Sequence, residues 1–258
     1  MDPRSFRLGF AAAILATIVG GAASGQAPAP AATGDIDPEA VAALDRMGAF
    51  MRASVKTFQV RAVITRDNVR DNGLLTTSDA TIDMVAQLPS HLRIDFKSDA
   101  KDRLYLFDGK SFTLYARKMG YYATVAAPAT AGELSKVLAD KYDIELPLAD
   151  LFWWGTDRVN SSALTAAMDA GPAVVDGITC EQYAFRQEGL DWQIWIQLGA
   201  YPLPLKQVIT TTTDPSRPQY SAVYTWNLAP SFNDAAFTFD PPADAKRIVF
   251  AARPSGGK

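Results

Sequence analysis

Over most of the chain from Thr57 onward, apolar and polar residues alternate with a period of two. This periodicity constrains the fold more than any other feature. Successive side chains of a strand point to opposite faces, so alternation marks strands with one buried and one exposed face. The clearest block is Leu104 to Val125, LYLFDGKSFTLYARKMGYYATV. Leu104 to Phe107 is apolar, Asp108-Gly109 is a hairpin turn dipeptide, and Phe112 and Leu114 then alternate with Thr113 and Tyr115. A second turn at Lys118 to Gly120 leads into Tyr121 to Val125, which predicts an antiparallel meander.

The same pattern extends in both directions. Phe58, Val60, Ala62 and Ile64 share a face; so do Ala80, Ile82, Met84, Ala86 and Leu88, and then Leu92, Ile94 and Phe96. Further on, Thr179 to Arg186 carries Tyr183 and Phe185, and Trp192, Ile194 and Ile196 alternate with Gln193, Trp195 and Gln197. Strands are expected at Leu205 to Thr213, at Gln219 to Leu228 (Tyr220, Ala222, Tyr224 and Trp226 on one face), at Phe237-Thr238-Phe239 and at Lys246 to Phe250. The expectation is a mainly β (α+β) chain with about ten or eleven strands in one large sheet.

Two regions follow a helical period instead. Asp37-Pro38-Glu39 is a helix start, with an N-cap acid, proline in the first turn and a carboxylate near the positive end of the dipole. Val41, Leu44, Gly48 and Met51, with Phe50 beside them, continue it to about Ser54. Between Thr130 and Tyr142, Leu134, Val137, Leu138 and Tyr142 line one helical face. A second helix of this insertion is expected from Pro147, carrying Leu148, Leu151, Phe152, Trp153 and Trp154, apolar nearly all round. Ser161 to Met168 reads as helix or loop.

At the N-terminus, Arg4 and Arg7 precede an apolar run from Leu8 to Ala23 that ends in small residues. This is the layout of a secretory signal peptide over residues 1–25, and the run is short of the roughly 20 residues that span a bilayer. The composition predicts a Pro/Ala linker over residues 26–34, a single domain over residues 35–250 and a disordered tail over residues 251–258. The mature chain has no integral membrane segment, and its expected location is the periplasm. Without residues 1–25 it carries 23 basic and 27 acidic residues, a net charge of −4, with no basic stripe, which excludes nucleic acid as a partner. Cys180 is the only cysteine, so no disulfide can form within the chain; on an apolar strand it reads as a small buried hydrophobe.

Catalytic chemistry is thinly represented. The one histidine, His91, lies on the polar face of a strand and cannot assemble a zinc site without cysteines. Neither a Gly-x-Ser-x-Gly elbow nor a phosphate-binding glycine loop is present. The carboxylate pairs Asp99 with Asp102 and Asp143 with Glu145 fall in polar turns and read as solvated surface. No metal, cofactor or enzyme activity is expected.

What the chain has in surplus is apolar and aromatic surface. A curved sheet with helices across its mouth would enclose an apolar cavity, a common small-molecule site. The candidate ligand-binding residues are Ile82, Met84, Leu92, Ile94, Phe96, Phe112, Leu114, Trp192 and Ile194 on the sheet, with Phe152, Trp153 and Trp154 on a lid helix. Alternation assigns residues to faces without deciding which face is concave.

The element order, the Phe107-Asp108-Gly109-Lys110 hairpin and the terminal Phe237-Thr238-Phe239-Asp240-Pro241-Pro242 resemble the LolA/LolB lipoprotein-localisation superfamily. The segments DPEAVAALDRMGAFM, LPLADLFWWG, VDGITCEQYAFRQEGLDWQIWI and LPLKQVI are similar to a family of predicted periplasmic proteins of unknown function within it. The resemblance implies an incomplete antiparallel β-barrel whose helices close an apolar cavity that holds acyl chains. It therefore implies a lipid or acylated ligand, a lipoprotein among them. The same fold also serves as an envelope-stress or scaffold module, which would bind an envelope protein partner. Where the carriers have an arginine before the proline that ends an early strand, this chain has Leu88 before Pro89; the lipid-modified N-terminal cysteine of the anchored receptor is absent.

Overall fold

The computed structural model describes residues 34–154 and 161–251. The expected signal peptide, nearly all of the linker and the tail beyond Ala251 lie outside the described residues. A helix α1 (Pro38–Ser54) comes first, followed by strands β1 (Thr57–Val69), β2 (Leu75–Gln87), β3 (His91–Ser98), β4 (Asp102–Phe107), β5 (Ser111–Ala116) and β6 (Tyr121–Ala126). Helix α2 (Ala131–Tyr142) and a 3₁₀ turn (Ala149–Phe152) interrupt the sheet. It resumes with β7 (Leu164–Val175), β8 (Ile178–Gln187), β9 (Leu190–Gln197), β10 (Pro204–Thr211), β11 (Gln219–Asn227) and the two-residue β12 (Lys246–Arg247).

All strands belong to one sheet in the order β12-β6-β5-β4-β3-β2-β1-β11-β10-β9-β8-β7. Every pairing is antiparallel except that of β12 with β6. The end strands β12 and β7 do not meet, so the sheet is an open, incomplete barrel with helices over one face. Register aligns the apolar residues into rows across it. One runs Phe58–Ala86–Leu92–Phe107–Phe112–Val125, and the next Val60–Met84–Ile94–Tyr105–Leu114–Ala123. A third, on the other half, runs Ile64–Ala222–Gln207–Ile194–Tyr183.

Helix α1 begins where Asp37 Oδ1 accepts from the Glu39 amide at 2.9 Å. It buries Ala40, Ala43, Leu44, Met47, Gly48 and Met51 in the same core as the sheet rows. Helix α2 is capped by Thr130, whose hydroxyl accepts from the Glu133 amide at 3.2 Å and donates to the Glu133 carboxylate at 3.0 Å. Its buried stripe is Ala131, Leu134, Ser135 and Leu138. Val137, expected on that face, is exposed. At 100° per residue it lies on the far side of Leu134 from the stripe's centre.

Three expected elements differ. No helix starts at Pro147: Leu148 adopts a left-handed backbone (φ 57°) and only the 3₁₀ turn follows. The run that is apolar all round is accommodated by an irregular turn that buries Leu146, Leu148, Leu151 and Trp154. The stretch Ser161 to Met168 is neither helix nor loop: after a short 3₁₀ turn it becomes edge strand β7, paired with β8 over its length. Its alanines mimic a helix, but the edge position tolerates Ala, Gly171 and Pro172 because Pro172 needs no ladder donor there. Phe237-Thr238-Phe239 is not a strand either. A 3₁₀ turn (Asp234–Phe237) precedes it, and the segment straps the outer face, with Phe237 5.3 Å from the His91 ring and Phe239 5.0 Å from that of Tyr122. With β12 included, the strands number twelve rather than ten or eleven.

Candidate functional site: the roofed face of the sheet

The nine sheet candidates, drawn from four strands, all lie on the helix-covered face, since each falls in the inward rows of the register. Ile82, Met84, Leu92, Ile94, Phe112, Trp192 and Ile194 are each 2% exposed or less, whereas Phe96 and Leu114 are half-buried beside them. These side chains belong to one core cluster with residues of the two helices.

Of the three residues assigned to a lid helix, none sits on a helix of ordinary length. Trp154 is fully buried, its ring 5.9 Å from that of Trp192, which in turn stacks on Phe185 at 4.3 Å. Phe152 is half-buried against the core, and Trp153 is half-buried outside it. The insertion thus places one tryptophan, not three aromatics, into the interior.

The roof is held mainly by apolar contact. Hydrogen bonds tie the starts of the helices down: the Asp37 amide donates to the Ala167 carbonyl at 2.9 Å, the Ala167 amide to that of Asp35 at 3.2 Å, the Asp169 amide to the Asp37 carboxylate at 3.4 Å, and the Ala131 amide to the Pro89 carbonyl at 2.8 Å. Leu88, at the position of the carriers' arginine, packs against the core instead of making a polar latch.

Sequence reasoning missed a polar cluster under this roof. Gln207 falls at an inward position of β10, two residues before Ile209, and is 1% exposed. Tyr224 Oη donates to its Oε1 at 3.2 Å, and its Nε2 is buried without a partner. A buried donor left unsatisfied costs about 1–3 kcal/mol. Asp150, in the 3₁₀ turn, is crowded by protein that disfavours its charge, which pushes its pKa up to about 6 against the pull of two backbone amides. Burial, then the Asp150 charge, raises the phenols of Tyr220 and Tyr224. The legible trace was a glutamine where the period of two demands an apolar residue.

The outer face is polar and paired. Arg61 holds Asp83 through two bonds of 3.0 and 2.9 Å. Arg117 bridges Asp95 and Asp102, which removes Asp102 from any carboxylate pair with Asp99. Asp191 is clamped by Arg186 and Arg217, whose hydrogen bonds hold its carboxyl below the usual range, so it is a poor proton acceptor. His91 Nδ1 is 3.0 Å from the Ser90 hydroxyl, and its ring packs on Phe237. Among the described residues no group of three His, Cys, Asp or Glu could hold a metal ion, and no helix is long and apolar enough to cross a membrane.

An open antiparallel sheet with an apolar, helix-roofed face and an outer face of ion pairs defines an incomplete-barrel protein. The chain belongs to the family of predicted periplasmic proteins designated DUF2092, whose model matches residues 40–251. No curated protein matches it. Solved structures similar to it include an uncharacterised conserved protein of Thermus thermophilus, at 12% identity, 82% coverage of this chain, 99% of that one and a TM-score of 0.47. The lipoprotein LppX of Mycobacterium tuberculosis aligns at 13% identity over 76% of this chain and all of that one, with a TM-score of 0.45. A LolA superfamily protein of Nitrosomonas europaea aligns at 12% identity over 78% and 97%, with a TM-score of 0.33.

Proposed function

We propose that this protein binds an apolar ligand, a lipid or acyl chain, between the sheet and its roof, as a periplasmic carrier or chaperone rather than an enzyme. The observation that carries the reading is the nature of the roof. Apolar contact is non-directional, so helix side chains can be exchanged for an acyl chain at little net change in buried area. The hydrogen bonds that hold the helices gather at their starts, which leaves the rest of each helix able to lift. An acyl chain laid on Met84, Ile94, Phe112 and Ile194 would gain on the order of 0.8 kcal/mol per methylene, before the costs of association.

Native mass spectrometry of the protein recovered from a bacterial periplasm, with organic extraction of whatever is bound, tests this. A species in the phospholipid or fatty-acid mass range, released on denaturation, is expected. An apo mass that persists after incubation with phospholipid vesicles overturns the reading.

A second reading, a scaffold that binds an envelope protein, is favoured by the other half of the outer face. There Val175, Cys180, Trp195 and Leu205 form a small separate cluster, with Val63 and Ile178 exposed on the same face. A stable protein complex that survives delipidation would support it.

A further inference from the structure

We infer that Gln207 is the polar anchor of the ligand site: its amide receives a neutral carbonyl oxygen, that of an ester or amide, while the apolar remainder of the ligand lies along the floor of the sheet. The inference rests on the acyl-ligand reading above and adds the chemistry of the ligand's head.

The position calls for an aliphatic side chain. Register sets Gln207 between Ile194 on β9 and Ala222 on β11, both fully buried. Among the described residues its single partner is Tyr224 Oη, at 3.2 Å through Oε1, and Nε2 is left over. Turning the amide over does not repair this. The phenol would then accept from Nε2, and Oε1 would be the atom without a partner. Hydrogen-bonding capacity is therefore left over in either orientation, at the centre of an otherwise apolar floor. Ala222 across the strand keeps the floor shallow at that point.

The surrounding charges select the class of head group. The Asp150 charge raises the phenols of both Tyr220 and Tyr224, so a carboxylate of the insertion lies within electrostatic reach of the cluster. From β1, the Arg66 guanidinium lies 5.7 Å over the Tyr220 ring. At neutral pH an ionised Asp150 would repel an anionic head, and a cationic head offers nothing to an amide donor. A neutral acceptor suits both. The free amide N–H would donate to it, and the Tyr220 hydroxyl is the second donor at hand.

The test uses the full mature protein and a neutral apolar fluorophore, N-phenyl-1-naphthylamine, displaced by methyl palmitate, palmitate or hexadecane delivered from cyclodextrin. Wild type should bind methyl palmitate at least about tenfold more tightly than hexadecane, the equivalent of one hydrogen bond in a dry site. In Gln207→Leu/Tyr224→Phe that preference should vanish while the circular dichroism spectrum stays that of wild type, which reports an intact sheet. Gln207→Glu, which replaces the donor by an acceptor or an acid of the same shape, should lose the preference as well. At pH 8 palmitate should bind more weakly than its methyl ester, and Asp150→Asn should narrow that gap. An ester preference that survives both Gln207 variants overturns the anchor and leaves the acyl-ligand reading standing. Failure of every probe to bind wild type overturns both.

Discussion

Trp154 joins the insertion to the sheet. It is fully buried against Trp192, which links it through Phe185 to strand β8. Trp154→Ala should destabilise the protein by about 3–5 kcal/mol, because both the transfer energy and the contacts around the void are lost; urea unfolding measures it. Trp153, half-buried outside the core, should cost far less on truncation. Asp150 makes a pH prediction with a definite sign. Its folded pKa of about 6 lies above the ordinary aspartate value, so the native state holds its proton more tightly than the unfolded chain does. Stability from this group is therefore present below about pH 4 and is lost as pH rises through about 6, by an amount on the order of 2 kcal/mol. Asp150→Asn should leave stability at pH 4 nearly unchanged and raise it at pH 8. Equal effects at both pH values would show that the carboxyl is not desolvated.

At the scale of elements, the helices and the C-terminal strap do different work. Helix α2 starts with a reciprocal Thr130–Glu133 cap and ends on a left-handed Asp143. Thr130→Ala should cost about 1 kcal/mol in thermal unfolding. The same cap neighbours the Ala131–Pro89 hydrogen bond, so the change should also loosen the roof and speed exchange of a bound apolar fluorophore. The strap crosses the opposite face of the sheet. Phe237 is buried against His91 and Phe232, Phe239 rests on Tyr115 and Tyr122, and the Arg93 guanidinium donates to the Ala236 carbonyl at 3.4 Å. It lies on the face where Leu104 and Leu106 are buried. Phe250 then reaches the roofed side, 6.3 Å from Phe112 and 5.4 Å from Tyr142. Phe237→Ala should therefore destabilise by about 3–4 kcal/mol without altering ligand affinity, whereas Phe250→Ala should change both.

For the whole molecule, an open sheet with one roofed face behaves as a linked folding and binding system. A ligand that binds only the folded form at a hundred times its dissociation constant should add about 2.7 kcal/mol to stability. Protein stripped of extractable lipid should melt at a lower temperature than protein reloaded with it; equal melting temperatures would contradict a site on the roofed face. Cys180 reports on the other face. It is fully buried in the small cluster with Trp195, and burial raises its thiol pKa, so Ellman's reagent should react with it only once the sheet opens in denaturant.

The residues themselves determined the local pattern: most of the strands, the division of each into two faces, the α1 start at Asp37-Pro38 and the α2 run are legible because each depends on side-chain period and nearby caps. That Met84 shares a face with Ile82, and Ile94 with Leu92, followed from alternation alone. Where local preference was ambiguous, long-range pairing decided. The alanine-rich stretch after Ser161 became a strand because β8 offers it a ladder. The Trp153-Trp154 run became a turn because burial of Leu148, Leu151 and Trp154 outweighs helical continuity at a left-handed Leu148. Which face the helices cover was likewise settled only by packing. The juxtaposition of Gln207, Tyr224 and Asp150 could not be read from the chain, because β10, β11 and the insertion meet only when the sheet is assembled and roofed, and no periodicity encodes that meeting.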